Sequence, residues 1–379
     1  MTSDPARPRA ALLLPPALAL AAGLAPPEAR AQVVPVPGPG LERPDFDRSA
    51  RADIEETTAE TQSSATQTVT TRLSDRINQA LSIGLSALVR PPIGDDDEDD
   101  AQAATARRRS AQGAAFGGGR LATWGSATVT ALDDEGPGRE FDGTLVVPQV
   151  GLDYALPSGW VVGLAAGLER SDLETGFNDG RIDSLGVSVG PYAGVAVGEV
   201  AILDAGVGYV SLDYDRSRQD GAFRGSFDAD RIYAFANATG YVPTAWHGIE
   251  QLSLRGRIGF RYSHEDQSGF TENGVRVPGG ELELGQALFG AEARYTLPAE
   301  GVDTVELFAR ATGAYDAIRE DRAATGFAAA SDDRTDVTLA IGAVAVISDS
   351  LSADVTYESV LAREDLGEHS LTLGLRLNF

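Results

Sequence analysis

Residues 371–379 read Leu-Thr-Leu-Gly-Leu-Arg-Leu-Asn-Phe. Leu371, Leu373, Leu375, Leu377 and Phe379 share one face of an extended chain, and Thr372, Gly374, Arg376 and Asn378 share the other. The same two-residue rhythm places Leu252, Leu254, Ile258, Phe260 and Tyr262 opposite Ser253, Arg255, Arg257 and Arg261. It recurs with Val305, Leu307 and Ala309 against Glu306 and Arg310, and with Leu351, Ala353, Val355 and Tyr357 against Asp354, Thr356 and Glu358. Working back from the end, twelve such segments fall at about 120–132, 140–156, 159–171, 181–197, 199–214, 226–241, 249–264, 282–297, 301–316, 333–347, 350–363 and 367–379. Strands of this length suffice to cross a bilayer at a tilt.

The connections alternate as well. Those on one side, at 133–139, 172–180, 215–225, 265–281, 317–332 and 364–366, are mostly long, whereas on the other side Pro157-Ser158, Gly198-Glu199, Pro298 to Glu300 and Ser348-Asp349 are tight and 242–248 is the longest. One long-looped side and one tight side is the pattern of an outer-membrane barrel. An even strand number leaves both barrel ends on the tight side. The second face is too charged for a dry core. It carries Arg231, Arg255, Arg257, Arg261, Arg294, Arg310 and Arg376 against Asp153, Glu169, Asp204, Glu292, Glu306, Asp354 and Glu358. Seven residues of each sign predict a wet, balanced lumen lined by Arg255, Arg257, Arg261, Arg310 and Arg376. Trp160, Tyr209, Tyr295, Tyr357 and Phe379 fall where interfacial aromatic girdles belong. The fold class expected is all-β: a single-chain transmembrane antiparallel barrel over 120–379. A soluble β-sandwich is the competing architecture.

Upstream the chain has a different character. Residues 1–31 predict a secretory signal peptide, with Arg7 and Arg9, an apolar stretch from Ala10 to Ala25, and Ala29-Arg30-Ala31 before the cleavage point. A Pro/Gly-rich linker follows at 32–45. An amphipathic helix is expected at 46–90. Val69, Leu73, Ile77, Leu81, Leu85 and Leu88 form one stripe, and Pro91-Pro92 ends it. Residues 91–119 read as an acidic, Gly-rich linker. It holds Asp95 to Asp100 (DDDEDD), which lacks the spacing of a calcium loop, then Arg107 to Arg109 and the hinge Gly117 to Gly119.

Composition narrows the function classes. Among 379 residues there is no cysteine and no lysine, and the formal charge is −25. That excludes a disulfide scaffold and a thiolate metal site, and it opposes nucleic-acid binding, which needs a basic face. Gly186-Val187-Ser188-Val189-Gly190 matches a nucleophile elbow, but it lies inside an alternating strand with no helix to follow. His247, His264 and His369 have no metal-binding spacing. His264-Glu265-Asp266 is expected in a solvated loop, and Asn237-Ala238-Thr239 within a strand of an exported chain is set aside as a sequon. No enzyme and no cofactor is expected.

These pieces resemble a known family, the C-terminal translocator barrels of autotransporters (type V secretion). The resemblance rests on Trp124, PQVGLDY (148–154), GWVVGLAAGL (159–168), VGPYAGVAV (189–197) and AGVGYVSLDYD (205–215). It continues with LSLRGRIGFRYSHEDQSGFTENG (252–274) and LGLRLNF (373–379). It implies a twelve-stranded barrel threaded by a helix that helps export the polypeptide N-terminal to it. It also implies that Leu373, Leu375, Leu377 and Phe379 form the signal read by the barrel-assembly machinery. The upstream region departs from the family: only 88 residues, Gln32 to Gly119, separate signal from barrel, with no β-helical repeat.

The expected function is thus a polar pore in the outer membrane of a Gram-negative bacterium, with surface-exposed loops, carrying or displaying a short N-terminal segment. Its partners would be the lipid bilayer, lipopolysaccharide, the secretion translocase, periplasmic chaperones and the barrel-assembly machinery. A stand-alone porin-like or adhesin-like barrel, with 32–119 as a periplasmic tether, is the alternative. Arg255, Arg257 and Arg261 are candidates for gripping the helix or anionic solutes, with ordinary lumen ion pairs as the competing account.

Overall fold

A computed structural model describes residues 43–86, 120–136, 140–198, 200–242, 247–249, 251–297, 303–319, 334–348, 350–361, 363 and 366–379. The expectations for 1–31 and 91–119, with Leu88, Pro91 and Pro92, lie outside these residues.

Helix α1 (Arg43–Ser86) is followed by β1 (Leu121–Asp134), β2 (Phe141–Ala155), β3 (Trp160–Thr175), β4 (Gly180–Val197), β5 (Ala201–Arg218), β6 (Phe223–Val242) and β7 (Leu252–Gln267). After a small ribbon of β8 (Phe270–Glu272) and β9 (Val275–Val277) come β10 (Gly280–Leu297), β11 (Thr304–Arg319), β12 (Thr335–Ser348), β13 (Leu351–Val360) and β14 (Leu366–Asn378). Twelve of the strands form one closed antiparallel barrel, and β8 and β9 pair only with each other. Closure is made by β1 on β14, in register from Ala122 opposite Asn378 to Asp134 opposite Leu366. The Phe379 N–H donates to the Leu121 carbonyl at 2.8 Å, adding one more rung. A closed sheet leaves no unpaired edge, the condition for spanning a bilayer.

The pleat decides what lies on each face. Leu152, Leu164, Leu185, Val187, Leu203, Ile232, Ile258, Phe289, Ile341 and Leu373 point outward and are exposed, while Arg231, Glu265 and Arg376 point inward and are at most 1 % exposed. On β5 the outward row runs Leu203, Ala205, Val207 and Tyr209, then turns polar at Ser211, Asp213 and Asp215. About nine residues of strand match the hydrocarbon thickness, so β5 above Tyr209 projects past the apolar band. This is why the long connections expected at 172–180 and 215–225 are mostly strand. The inward alternation continues through Tyr214, Arg216 and Arg218, and the turns shrink to Gly176–Asn178 with Asp179, and to the left-handed Gln219-Asp220-Gly221. The connection expected at 265–281 likewise holds the ribbon, turned by Asn273 and Gly274, both with positive φ.

Helix α1, Arg43–Ser86, includes residues 43–45 of the expected Pro/Gly linker. From Thr57 to Leu81 it is buried on nearly every side within the barrel, with Gln67, Thr71, Asp75 and Gln79 half-buried. From Ile54 to Leu81 it spans about 40 Å at 1.5 Å per residue. Its direction follows from its partners. Near its N-terminus, Thr58 accepts from Gln267 Nε2 at 3.1 Å and Glu60 pairs with Arg363 at 2.8 Å, beside the β7–β10 and β13–β14 loops. Near its C-terminus, Gln79 reaches Ser352 at 3.5 Å, next to the tight β12–β13 turn.

Candidate functional site: the occupied lumen

Two unlike half-walls receive the helix. Val69, Leu73, Ile77 and Leu81 join one buried apolar cluster with Trp124, Val147, Val161, Tyr192 and Ile202 from the inner faces of β1 to β5. Gly194 on β4 makes this approach possible, because a Cβ there would overlap Ile77. The expectation of a wet, electrostatically balanced lumen is corrected here: on the β1–β5 side apolar groups face the helix stripe and are covered by it, alongside the inward Asp153, Glu169 and Asp204. The cause is visible in β2 to β5, where Val147, Val161 and Ile202 take inward positions while apolar neighbours also face lipid. A strand apolar on both faces does not announce which side is the lumen.

The opposite half-wall is ionic. Asp75 accepts from Arg257 Nη2 at 3.1 Å and from Arg310 Nη1 at 2.9 and 3.0 Å. Arg310 also donates to Glu358 at 2.6 Å. Arg76 pairs with Asp354 at 2.8 Å and lies 5.6 Å over the Trp124 ring, and Arg72 reaches the same Asp354 at 3.4 Å. On the first side, too, the helix makes a polar contact: Asn78 donates to Asp204 of β5 at 3.1 Å, which also accepts from Asn237 of β6 at 2.8 Å. Arg261 donates to Gln67 on the helix at 2.6 Å and to Gln286 at 2.5 Å.

Of the five arginines expected to line the lumen, Arg257, Arg261 and Arg310 thus touch the helix. Arg255 pairs within the wall with Glu292 at 2.5 Å, and Arg376 with Asp153 at 2.6 Å. The latter pair reaches from β14 over β1 to β2, bridging the closing seam from inside. Tyr192 donates to Asp153 and accepts from Trp124 Nε1 at 2.8 Å. Higher up, Arg231 holds Glu169 at 2.9 Å and Glu265 at 2.8 Å. Charges placed in a low-dielectric lumen persist only when paired and hydrogen-bonded in this way.

The helix charges Arg72, Asp75 and Arg76 and the Tyr192 hydroxyl are site residues that the strand rhythm does not single out. A signal for one of them exists: Asp75 is the sole acid between Thr61 and Ser86. Leu373 and Phe379 face outward and exposed, with Leu375 and Leu377 half-exposed beside them. Glu265 lies in β7 pointing inward, with His264 and Asp266 on the outer face, so that triplet is not a loop cluster. Ser188 points inward from the middle of β4 between outward Val187 and Val189, without the strand-to-helix turn of a nucleophile elbow.

A polar cavity of about 40 Å³ lies between Gln67, Thr71 and Ser74 of the helix and Arg257, Arg261 and Arg310 of the wall. At roughly 10–15 Å³ per water, it takes a few water molecules and no larger solute.

At the mouth opposite the tight turns the β8–β9 ribbon folds inward. Phe270 stacks on Phe227 at 5.3 Å, which stacks on Tyr214 at 4.8 Å. Glu272, with no exposed surface, holds Arg218 at 2.5 Å and Arg216 at 3.7 Å.

The architecture has known counterparts. It is similar to the translocator domain of the autotransporter NalP from Neisseria meningitidis, at 20 % identity over 75 % of this chain and 98 % of that one, with a TM-score of 0.57. The β-domain of the Bordetella autotransporter BrkA aligns at 17 % identity over 69 % and 100 %, TM-score 0.56. The transport unit of the Escherichia coli autotransporter AIDA-I aligns at 13 % over 79 % and 97 %, TM-score 0.54. No curated protein matches the sequence. The sequence profile of the autotransporter β-domain matches residues 122–358, well over half of the chain. This protein belongs to the autotransporter β-domain family.

Proposed function

We propose that the barrel is an outer-membrane translocator that passes the polypeptide N-terminal to α1 outward and remains plugged by α1. The observation that supports this most is the direction of the helix. Its N-terminal turns lie at the end with the projecting strands and the ribbon, and its C-terminal turns lie at the tight-turn end, where β1 begins and β14 finishes. A chain seated this way presents what precedes Arg43 to the outside. The acidic strand extensions, with Asp213, Asp215, Asp228 and Asp230 turned outward, suit the phosphate-rich lipopolysaccharide layer when divalent cations bridge the two. The outward strip Leu373, Leu375, Leu377 and Phe379 is the surface we assign to the barrel-assembly machinery. The secretion translocase and periplasmic chaperones deliver the chain. A lumen that seats a helix through paired charges suits the passage and retention of a chain.

An epitope tag placed just before Arg43 tests this reading. Protease added to intact cells is expected to remove the tag while the barrel stays whole. A tag that is cut only after the outer membrane is breached would favour the periplasmic tether of a stand-alone barrel.

A further inference from the structure

The part of α1 inside the barrel nearly repeats itself every four residues. Val69, Leu73, Ile77 and Leu81 follow one another on the apolar side, Thr66, Thr70, Ser74 and Asn78 on the next, and Arg72 is followed by Arg76. A slide of one turn, about 6 Å for four residues, therefore puts apolar on apolar and small polar on small polar, and keeps one of the two arginines at Asp354. The hydroxyls make the surface more uniform still. Thr61 donates back to the Thr57 carbonyl at 2.9 Å and Thr70 to the Thr66 carbonyl at 2.7 Å, so neither needs the wall. Glu60 breaks the repeat at the far end of the helix, where it pairs with Arg363 at 2.8 Å.

Asp75 has no such freedom. Its row reads Thr71, Asp75, Gln79, and its two partners, Arg257 on β7 and Arg310 on β11, are fixed in the rigid wall. Slid one turn toward the tight turns, both guanidiniums would face Thr71 and the carboxylate would lose both partners; slid the other way they would face Gln79, and the carboxylate would exchange its direct contacts for the small cavity now at Thr71. Fixing the register of an otherwise repetitive helix surface is the best-attested use of a buried polar group. We propose that Asp75, clasped by Arg257 and Arg310, is the stop that sets how far the chain runs through the barrel. The word "stop" rests on the translocator reading; the register assignment does not.

The absence of cysteine makes the test direct. Gly194→Cys is combined in turn with Leu73→Cys, Ile77→Cys or Leu81→Cys, with Ile77→Ala in the first and last so that the new side chain has room. Oxidation of the full-length barrel, folded as judged by its heat-modifiable migration, is expected to link position 77 best, position 81, whose side chain lies 3.4 Å from the added Cβ, less, and position 73 least. The aspartate is then moved. With Thr71→Asp and Asp75→Thr the helix is expected to shift about 6 Å toward the tight turns, transferring the link to position 73. With Asp75→Gln and Gln79→Asp the link is expected at position 81. The milder Asp75→Asn should spread linkage over all three positions.

A link that stays at 77 in both swaps, or stays there alone in Asp75→Asn, would overturn the assignment. So would a folded barrel linked at none of the three. The same measurement on barrel refolded from denatured chain, where no export takes place, separates a failure of the register lock from a failure of the translocator reading, which the tag experiment reports.

Discussion

Arg231 lies in the lumen wall with 1 % of its surface exposed, between Glu169 and Glu265. Replacing one member of a buried ionic group leaves the others charged and unpartnered, which costs about 3–5 kcal/mol. Arg231→Met should therefore lower the urea midpoint of barrel refolded in detergent by that equivalent. Adding Glu169→Gln and Glu265→Gln should recover most of the loss, because a neutral triad has nothing left to desolvate. A midpoint unchanged in the single variant would mean that water reaches this level of the lumen. The inward positions of Arg231 and of the five candidate arginines were legible in the sequence, because a period of two assigns faces without ambiguity where one face is charged. Which arginines touch the helix was not. Arg255 and Arg257 share a face and sit one pleat apart, yet Arg255 meets Glu292 and Arg257 meets Asp75. Partner choice depends on the rotation of α1, which no local pattern in β7 records.

At the scale of elements, the stripe from Val69 to Leu81 announced a helix, and the two strands either side of each turn announced hairpins. The β8–β9 ribbon was missed. Asn273-Gly274 between Phe270 and Val277 is a two-residue hairpin signal, but three-residue strands are below the length at which alternation stands out. The inward fold of the ribbon is held by Glu272 on Arg216 and Arg218 and by the stack of Phe270 on Phe227. Those are long-range partners, unreadable from the segment itself. Replacing 268–279 with a tight Asn-Gly turn should uncover the outer mouth while leaving the helix seated. Single-channel conductance in planar bilayers is then expected to rise severalfold less than on deletion of 43–86, which empties the whole lumen. Equal conductance in the two variants would show that the ribbon, and not the helix, is the main seal.

For the whole molecule, the inside-out distribution of side chains separates two requirements that meet on β14. Leu373 is 59 % exposed and Phe379 61 % exposed, both on the outer face. Leu373 sits mid-strand, six residues from the barrel's tight-turn rim, so it faces hydrocarbon; an arginine there costs about 2–4 kcal/mol at the midplane. Phe379 lies at the rim, where its backbone already closes the seam through Leu121 and its ring meets the interface. Thermodynamic insertion therefore depends on Leu373 far more than on the Phe379 ring, whereas recognition by an assembly machine reading the strand end would depend on both. Leu373→Arg should lower both the yield of heat-modifiable barrel refolded into lipid vesicles and the amount recovered from outer membranes. Phe379→Ala should refold in vesicles as well as the parent but fall severalfold in outer membranes. If Phe379→Ala is assembled normally in cells, the ring carries no signal and β14 is specified by its apolar face alone; if it also fails in vesicles, its contribution is to the closed sheet and not to recognition.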